Sequence, residues 1–281
     1  GRAPGEPPPT LIDYFPDADF NRTVIECLGE PKPLKAALLA MAGKSYDLID
    51  MEKQQGKHPR IGAQDTIPLF PLRNISLEEC AALAEEIGAE VWERYKVPVY
   101  FSGENARTPE RKELSFIRKG QYEGLKEVAH LPERAPDLGP AKLHPTAGAT
   151  IVSAAKANLV AVNMILNTQD LEIAKSIAKM VRGPSGGFST IRAVAFKPDG
   201  YDYAAVSMNM FDTANTPIYR VFQLVDNEAK RFGLTIVGTQ ICGTLHQSDL
   251  IDSAAYYLRV VDFKENQILE NSILALDEEA E

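Results

Sequence analysis

The chain has 281 residues, 44% of them hydrophobic and 25% charged, with a formal net charge of -9. That is enough apolar material for one large domain or two of roughly 130 residues, with no need of crosslinks to hold a core. The acidic balance argues against nucleic acid as a partner. No apolar run reaches the roughly 18 residues of a membrane span, and no signal peptide is recognisable. Cys27, Cys80 and Cys242 are far apart and form no CxxC pair. This argues against a disulfide scaffold or a cysteine zinc site and fits a reducing, cytoplasmic setting.

Residues 1–9, GRAPGEPPP, read as a tail or remnant, since the prolines block ladder hydrogen bonds. Strands are expected at 11–14 and 23–28. A helix follows at 32–47, with an apolar stripe of Leu34, Leu38, Leu39 and Ala42. Residues 63–70 read as a short strand. Ser76 with Glu79 forms a capping box that opens a helix to about Arg94. Residues 97–101 read as a strand, and Pro109 opens a helix to about Lys126. The proline- and glycine-rich run 130–146 is the expected domain boundary. It divides a first subdomain, 10–142, from a second, 143–281.

The second half predicts strands at 149–152 and 159–166, a helix to about Val181 and a loop, RGPSGGF, at 182–188. Strands at 191–196 and 204–210, a helix at 217–232, a strand at 234–238 and helices at 248–261 and 266–274 follow. The order from 159 to 238 is β-α-β-β-α-β, a ferredoxin-like order. The order from 11 to 101 is β-β-α-β-α-β; its first four elements complete the same order if an opening strand and helix are missing, and the spare helix and strand would extend the sheet. The expected fold is therefore α/β (α+β), with two ferredoxin-like subdomains, the first lacking its opening strand and helix.

There are four histidines. His58, in GKHPR, sits in a loop between helix and strand and is flanked by Lys57 and Arg60. Histidine suits proton transfer near neutrality, and the flanking cations favour its neutral form. Asp65 is placed to orient the ring if the strand turns back; a surface-loop histidine is the competing reading. His144 leads into Gly148, Ala149 and Thr150, where glycine permits close backbone approach to a ligand or makes a tight turn. His246 stands at a strand–helix junction after GTQICGT, which includes Gln240. His130 reads as structural or surface.

Arg22, after Asn21, suits a bidentate carboxylate clamp. Arg182 with backbone N–H groups makes the 182–188 loop a plausible anion site. Asn209, amid methionines, needs a partner if buried. No metal-ligand spacing, P-loop or GxGxxG fingerprint is present, so neither metal nor nucleotide is expected.

DADFNRT (17–23), GKHPRIGAQDTIPLFPL (56–72), VPVYFSGENAR (97–107), LHPTAGAT (143–150), VRGPSGGF (181–188), VSMNMFDTANTP (206–217) and VGTQICG (237–243) together resemble the glutamate formiminotransferase family, including the formiminotransferase domain of formiminotransferase-cyclodeaminase. The resemblance implies two α/β subdomains facing across a substrate groove, a homodimer, and transfer of a formimino group from N-formimino-L-glutamate to N5 of tetrahydrofolate in histidine degradation. Tetrahydrofolate would be a co-substrate. The family's catalytic histidine falls on His58, and Arg22, Arg60 or Arg182 would orient substrate carboxylates.

The chain departs from the family pattern in three places. GRAPGEPPP stands where a VECVPNFSEG-like segment is usual. Residues 148–156 read GATIVSAAK rather than GATxxGAR, leaving Lys156 as the replacement charge. Leu245-His246 replaces a more apolar pair. Two alternatives therefore stay open: a related folate- or pterin-dependent transferase with a different donor, and a non-catalytic paralogue that binds a folate-like ligand or a partner. The cyclodeaminase activity belongs to a separate helical domain and is not expected here.

Overall fold

The computed structural model describes residues 7–18, 20–157, 159–198, 200 and 202–273. Most of the 1–9 tail, and the end of the helix expected at 266–274, lie outside the described residues. The chain forms two compact units, divided between 157 and 158.

The first unit opens with a hairpin, β1 (Thr10–Asp17) paired antiparallel with β2 (Arg22–Leu28). Helix α1 (Pro31–Leu48) begins on prolines, which suit a first turn whose N–H groups have no intrahelical partner. Strand β3 (Thr66–Leu69) follows, then α2 (Leu77–Tyr95). The capping box expected at Ser76 and Glu79 is formed: the Glu79 N–H donates to Ser76 Oγ, and the Ser76 N–H donates to the Glu79 carboxylate. After β4 (Val99–Gly103), residues 109–112 make a 3-10 turn, followed by the short helices α3 (Leu114–Ile117) and α4 (Gln121–Val128). The single helix expected from Pro109 to Lys126 is broken because Gly120 and Gln121 both have positive φ, which a continuous helix cannot accommodate.

The last strand, β5 (Thr150–Ala154), lies between β3 and β4, parallel to both. All five of its residues are buried, as a central parallel strand covered on both faces requires. On one face, α1 and α2 set Leu39, Ala42, Ala84, Ile87 and Val91 against Ile67, Phe101 and Val152. On the other, Ile117, Tyr122 and Leu125 from α3 and α4 pack with Met51, Ile61, Tyr100 and Ile151. This corrects two expectations. The unit is a parallel three-stranded sheet with a separate hairpin, not a ferredoxin-like unit short of one strand. The division falls at 157/158 rather than 142/143, because β5 belongs to the first sheet.

The proline-rich stretch is a strap bound to β4. Val99 exchanges backbone hydrogen bonds with Leu138, and Asp137 accepts from the Phe101 N–H at 2.7 Å and from Arg111 at 2.5 Å. Arg111 also donates to the Glu133 and Ala135 carbonyls, and Arg134 donates to three carbonyls of residues 116–119.

The second unit runs β6 (Val160–Leu166), α5 (Leu171–Val181), β7 (Ile191–Phe196), β8 (Ala205–Met210), α6 (Ile218–Lys230), β9 (Ile236–Cys242) and α7 (Gln247–Leu258). Its antiparallel sheet has the order β7-β8-β6-β9, a split βαβ arrangement that agrees with the ferredoxin-like reading of this half. Asp170 caps α5 through the Glu172 and Ile173 N–H groups. Val160, Val162, Met164 and Leu166 face the core with Ile177, Val181, Val221 and Val225 of α5 and α6. No helix among the described residues is long and apolar enough to cross a membrane.

The Arg111–Asp137 pair is 7% and 8% exposed. Replacing Asp137 with Ala leaves a buried guanidinium without its counter-ion and the Phe101 N–H without its acceptor, so a loss of about 3–5 kcal/mol is expected. Urea denaturation of the full chain, followed by far-UV circular dichroism, measures it.

Candidate active site

His58 lies in the loop between α1 and β3, and the loop is held from three directions. The first hold is Arg60, 7% exposed. Its Nε donates to Gln54 Oε1, one terminal nitrogen donates to Gln121 and Glu123, and the other donates to the Gln54 carbonyl and Glu123. These are five bonds with distances of 2.7 to 3.1 Å, the full donor capacity of a guanidinium. Arg60 ties the loop to α4 and has no donor left for a substrate carboxylate. The clamp role expected for it is corrected on that ground.

The second hold is Asp65. One carboxylate oxygen accepts from the Ile61 N–H at 2.6 Å, and the other pairs with Arg118, which follows α3. Asp65 therefore braces the loop and does not hydrogen-bond the His58 ring. Arg118 was not singled out from the sequence, because nothing in RKG at 118–120 marks it. Its Nε is buried with no hydrogen-bond partner among the described residues, a cost of roughly 1–3 kcal/mol.

The third hold is the turn of the hairpin. Asn21, at φ 48°, donates from its amide to the Gln55 carbonyl, and its own carbonyl accepts from Gln54. Phe20 lies edge-on to the His58 ring, with centroids 6.4 Å apart, and the Arg22 guanidinium sits 5.9 Å from the centroid of the Phe20 ring. Asn21 is thus used in the fold, whereas Arg22 is exposed beside the histidine.

The His58 ring makes no hydrogen bond among the described residues. Its pKa is lowered from 6.5 to about 4, first by burial, then by the positive charges of Arg118 and Arg22; Asp65 and Asp17 act weakly in the opposite sense. The direction agrees with the sequence reading, but the responsible cations are not Lys57 and Arg60. Near neutral pH the ring is a neutral imidazole, with one nitrogen carrying N–H and the other free to accept a proton.

The LHPTAGAT stretch packs on the same loop. Gly62 bridges Gly148, the Ala149 N–H donates to the Ile61 carbonyl, and the Ala63 N–H donates to the Ala147 carbonyl. A Cβ on Gly62 would overlap the Ala149 carbonyl, so the two backbones meet where only glycine fits. His144 Nδ1 accepts from the Thr146 and Ala147 N–H groups at 3.3 and 3.1 Å, and burial lowers its pKa. Thr150 is buried between the Gln64 carbonyl and the Tyr46 hydroxyl. His144, Gly148, Ala149 and Thr150 therefore build the scaffold on which the His58 loop rests. Lys156 is exposed beyond the far end of β5. That strand carries the chain about 13 Å away from Gly148, so Lys156 is not brought to His58.

In the second unit, the face of the sheet turned away from α5 and α6 carries a polar patch. Asn209 pairs with Arg192 and Ala161, and Ala161 pairs with Cys242. In the next row Ser207, Asn163 and Gln240 stand side by side. Asn163 is buried and its amide lies 3.4 Å from both Gln240 Oε1 and Cys242 Sγ. Asn209 and Gln240 were expected to be functional. Asn163, Ser207 and Arg192 were missed, although period-two alternation within their strands places them on that face. Arg182 ends α5 and donates to Ser185 Oγ at 3.3 Å. His246 is the exposed N-cap residue of α7, its N–H donating to the Asp249 carboxylate. Neither belongs to the polar rows. No cluster of metal-ligating side chains occurs among the described residues.

A two-unit α/β protein with an unprotonated histidine on a braced loop is a candidate for acid–base group transfer. Residues 3–155 match the N-terminal subdomain of the formiminotransferase domain, and residues 159–277 match the formiminotransferase domain that follows it. The chain is 38% identical to glutamate formimidoyltransferase of Streptococcus pyogenes serotype M1 over 94% of its length and 89% of that protein. It is 37% identical to the enzyme of that name from Thermoplasma acidophilum, over 94% and 87%. It is also 36% identical to formimidoyltransferase-cyclodeaminase of Gallus gallus, covering 49% of that longer chain. The chain belongs to the formiminotransferase family.

Histidine NMR of the full chain, with His58→Ala to assign the signal, is expected to place the His58 titration near pH 4. An inflection at the ordinary imidazole value of about 6.5 would mean that the ring is solvated rather than set among Phe20, Arg22 and Arg118.

Proposed function

We propose that this protein is a glutamate formimidoyltransferase. It moves the formimino group of N-formimino-L-glutamate to N5 of tetrahydrofolate, with His58 as general base and tetrahydrofolate as co-substrate. The observation that carries the reading is the state of His58: neutral at physiological pH, with no hydrogen bond to its ring among the described residues, on a loop braced by Arg60 and Asp65. Its family membership supplies the reaction class.

In the proposed reaction the N5 lone pair attacks the formimino carbon, and His58 takes the N5 proton as the C–N bond forms. The imidazolium then returns that proton to the glutamate nitrogen as the old C–N bond breaks. Glutamate and 5-formiminotetrahydrofolate leave, and the imidazole is neutral again. One imidazole serves both steps, and holding the two reactants together supplies much of the acceleration. Contact with an anionic substrate raises the imidazole pKa from its low resting value, toward the range where proton transfer is efficient. Arg22, exposed beside His58, is the guanidinium proposed to orient a substrate carboxylate in the first unit. In the second unit, the amides of Asn163, Asn209 and Gln240 provide paired donors and acceptors of the kind a pterin ring or an amino acid backbone requires. The expected setting is cytoplasmic histidine degradation by a homodimer.

Mixing the protein with tetrahydrofolate and N-formimino-L-glutamate should yield 5-formiminotetrahydrofolate, followed by absorbance. His58→Ala should lower kcat by about 10²- to 10⁴-fold. Absence of turnover by the wild-type protein, with both substrates bound, defeats the assignment. For the free enzyme, kcat/KM should hold from neutral pH downward and fall only as pH drops through about 4, where His58 takes up its proton.

A further inference from the structure

We propose that Arg118, paired with Asp65, is a positioning residue that fixes the His58 loop and places a positive charge facing its ring. The inference rests on His58 being the base of the proposed reaction, but its geometry is independent of which group is transferred.

Two guanidinium–carboxylate pairs join the loop to the segment that carries α3 and α4, and they run in opposite directions. Arg60 reaches out of the loop to Glu123 on α4. Arg118 reaches back from the end of α3 to Asp65 at the end of the loop. The charge of Arg60 is paired with Glu123, and Arg60 is not among the leading groups that act on His58. Arg118 has the other role. The charged groups facing His58 are Arg118 from the α3 end, Arg22 and Asp17 from the hairpin, and Asp65 from its own loop. Of these, Arg118 has the largest electrostatic influence, ahead of its partner Asp65. The pair is 16% exposed on each side, so solvent screens it little. Asp65 also takes the Ile61 N–H, which couples the place of Arg118 to the backbone three residues after His58. One interaction thus bears both on where the ring sits and on the charge that faces it.

The test is Arg118→Gln, with Arg118→Lys and Asp65→Asn beside it, all in the full chain. In Arg118→Gln the His58 NMR titration should move up from about 4 while burial and Arg22 still hold it below the ordinary value, and at pH 4.5 the loss in kcat/KM should exceed the loss at pH 8 by about twofold or more. Arg118→Lys restores the charge, so it should return most of the low titration and flatten that pH dependence. Asp65→Asn removes the opposing charge while keeping an acceptor for Ile61, so the titration should stay low or fall further. A purely structural Arg118 would lower activity equally at both pH values and leave the titration unmoved, and that result overturns the inference. If Arg118→Gln fails to fold by circular dichroism, a rise of the His58 titration in Asp65→Asn overturns it instead. The titration requires no turnover, so an error in the assigned substrates leaves this test intact.

Discussion

The first unit is organised around one buried guanidinium. Arg60 spends all of its donor capacity inside the protein, on Gln54 within its own loop and on Gln121 and Glu123 of α4. A buried cation is tolerable only when it is paired and fully hydrogen-bonded, so this arrangement leaves the loop little choice of path. Gln54 is shared: it also donates to the Asn21 carbonyl and so brings the hairpin turn onto the loop. Phe20, Arg22 and Arg118 then surround His58 because Arg60 has fixed the chain between them. The residue that looked most like a substrate clamp in GKHPR is what makes the neighbouring histidine a defined site.

Features whose cause is local were legible in the sequence. The capping box at Ser76 depends on residues three apart, and the split βαβ order of the second unit follows from strand and helix periods alone. His58 could be singled out because few residue types do its chemistry near pH 7. Features with distant partners were not legible. The 130–146 strap reads as a linker because prolines and glycines break periodicity; what holds it is Arg111, twenty-six residues before Asp137. β5 was placed with the second half because nothing in TIVSA says which sheet will take it. Arg118 lies fifty-three residues from Asp65, and a lysine- and arginine-rich turn looks like an ordinary solvated surface.

The same reasoning explains where the site falls. In parallel sheets ligands usually gather at the carboxyl ends of the strands. In this unit those ends are closed by hydrogen bonds. Asn105 accepts from the Ala154 N–H and donates to the Ala81 carbonyl and to Glu85, the Glu104 N–H donates to the Ala154 carbonyl, and the Ala155 N–H donates to the Leu69 carbonyl. The amino ends are built differently. Gly62 and Gly148 cross there with no side chains between them, which brings the His58 loop down onto the starts of β3 and β5. Lys156, at the carboxyl end, sits on the closed side. The charge of Lys156 is therefore remote from His58 within this unit. The altered 153–156 stretch can be tolerated without disturbing the base, because the groups that place the base all lie at the other end of the strand.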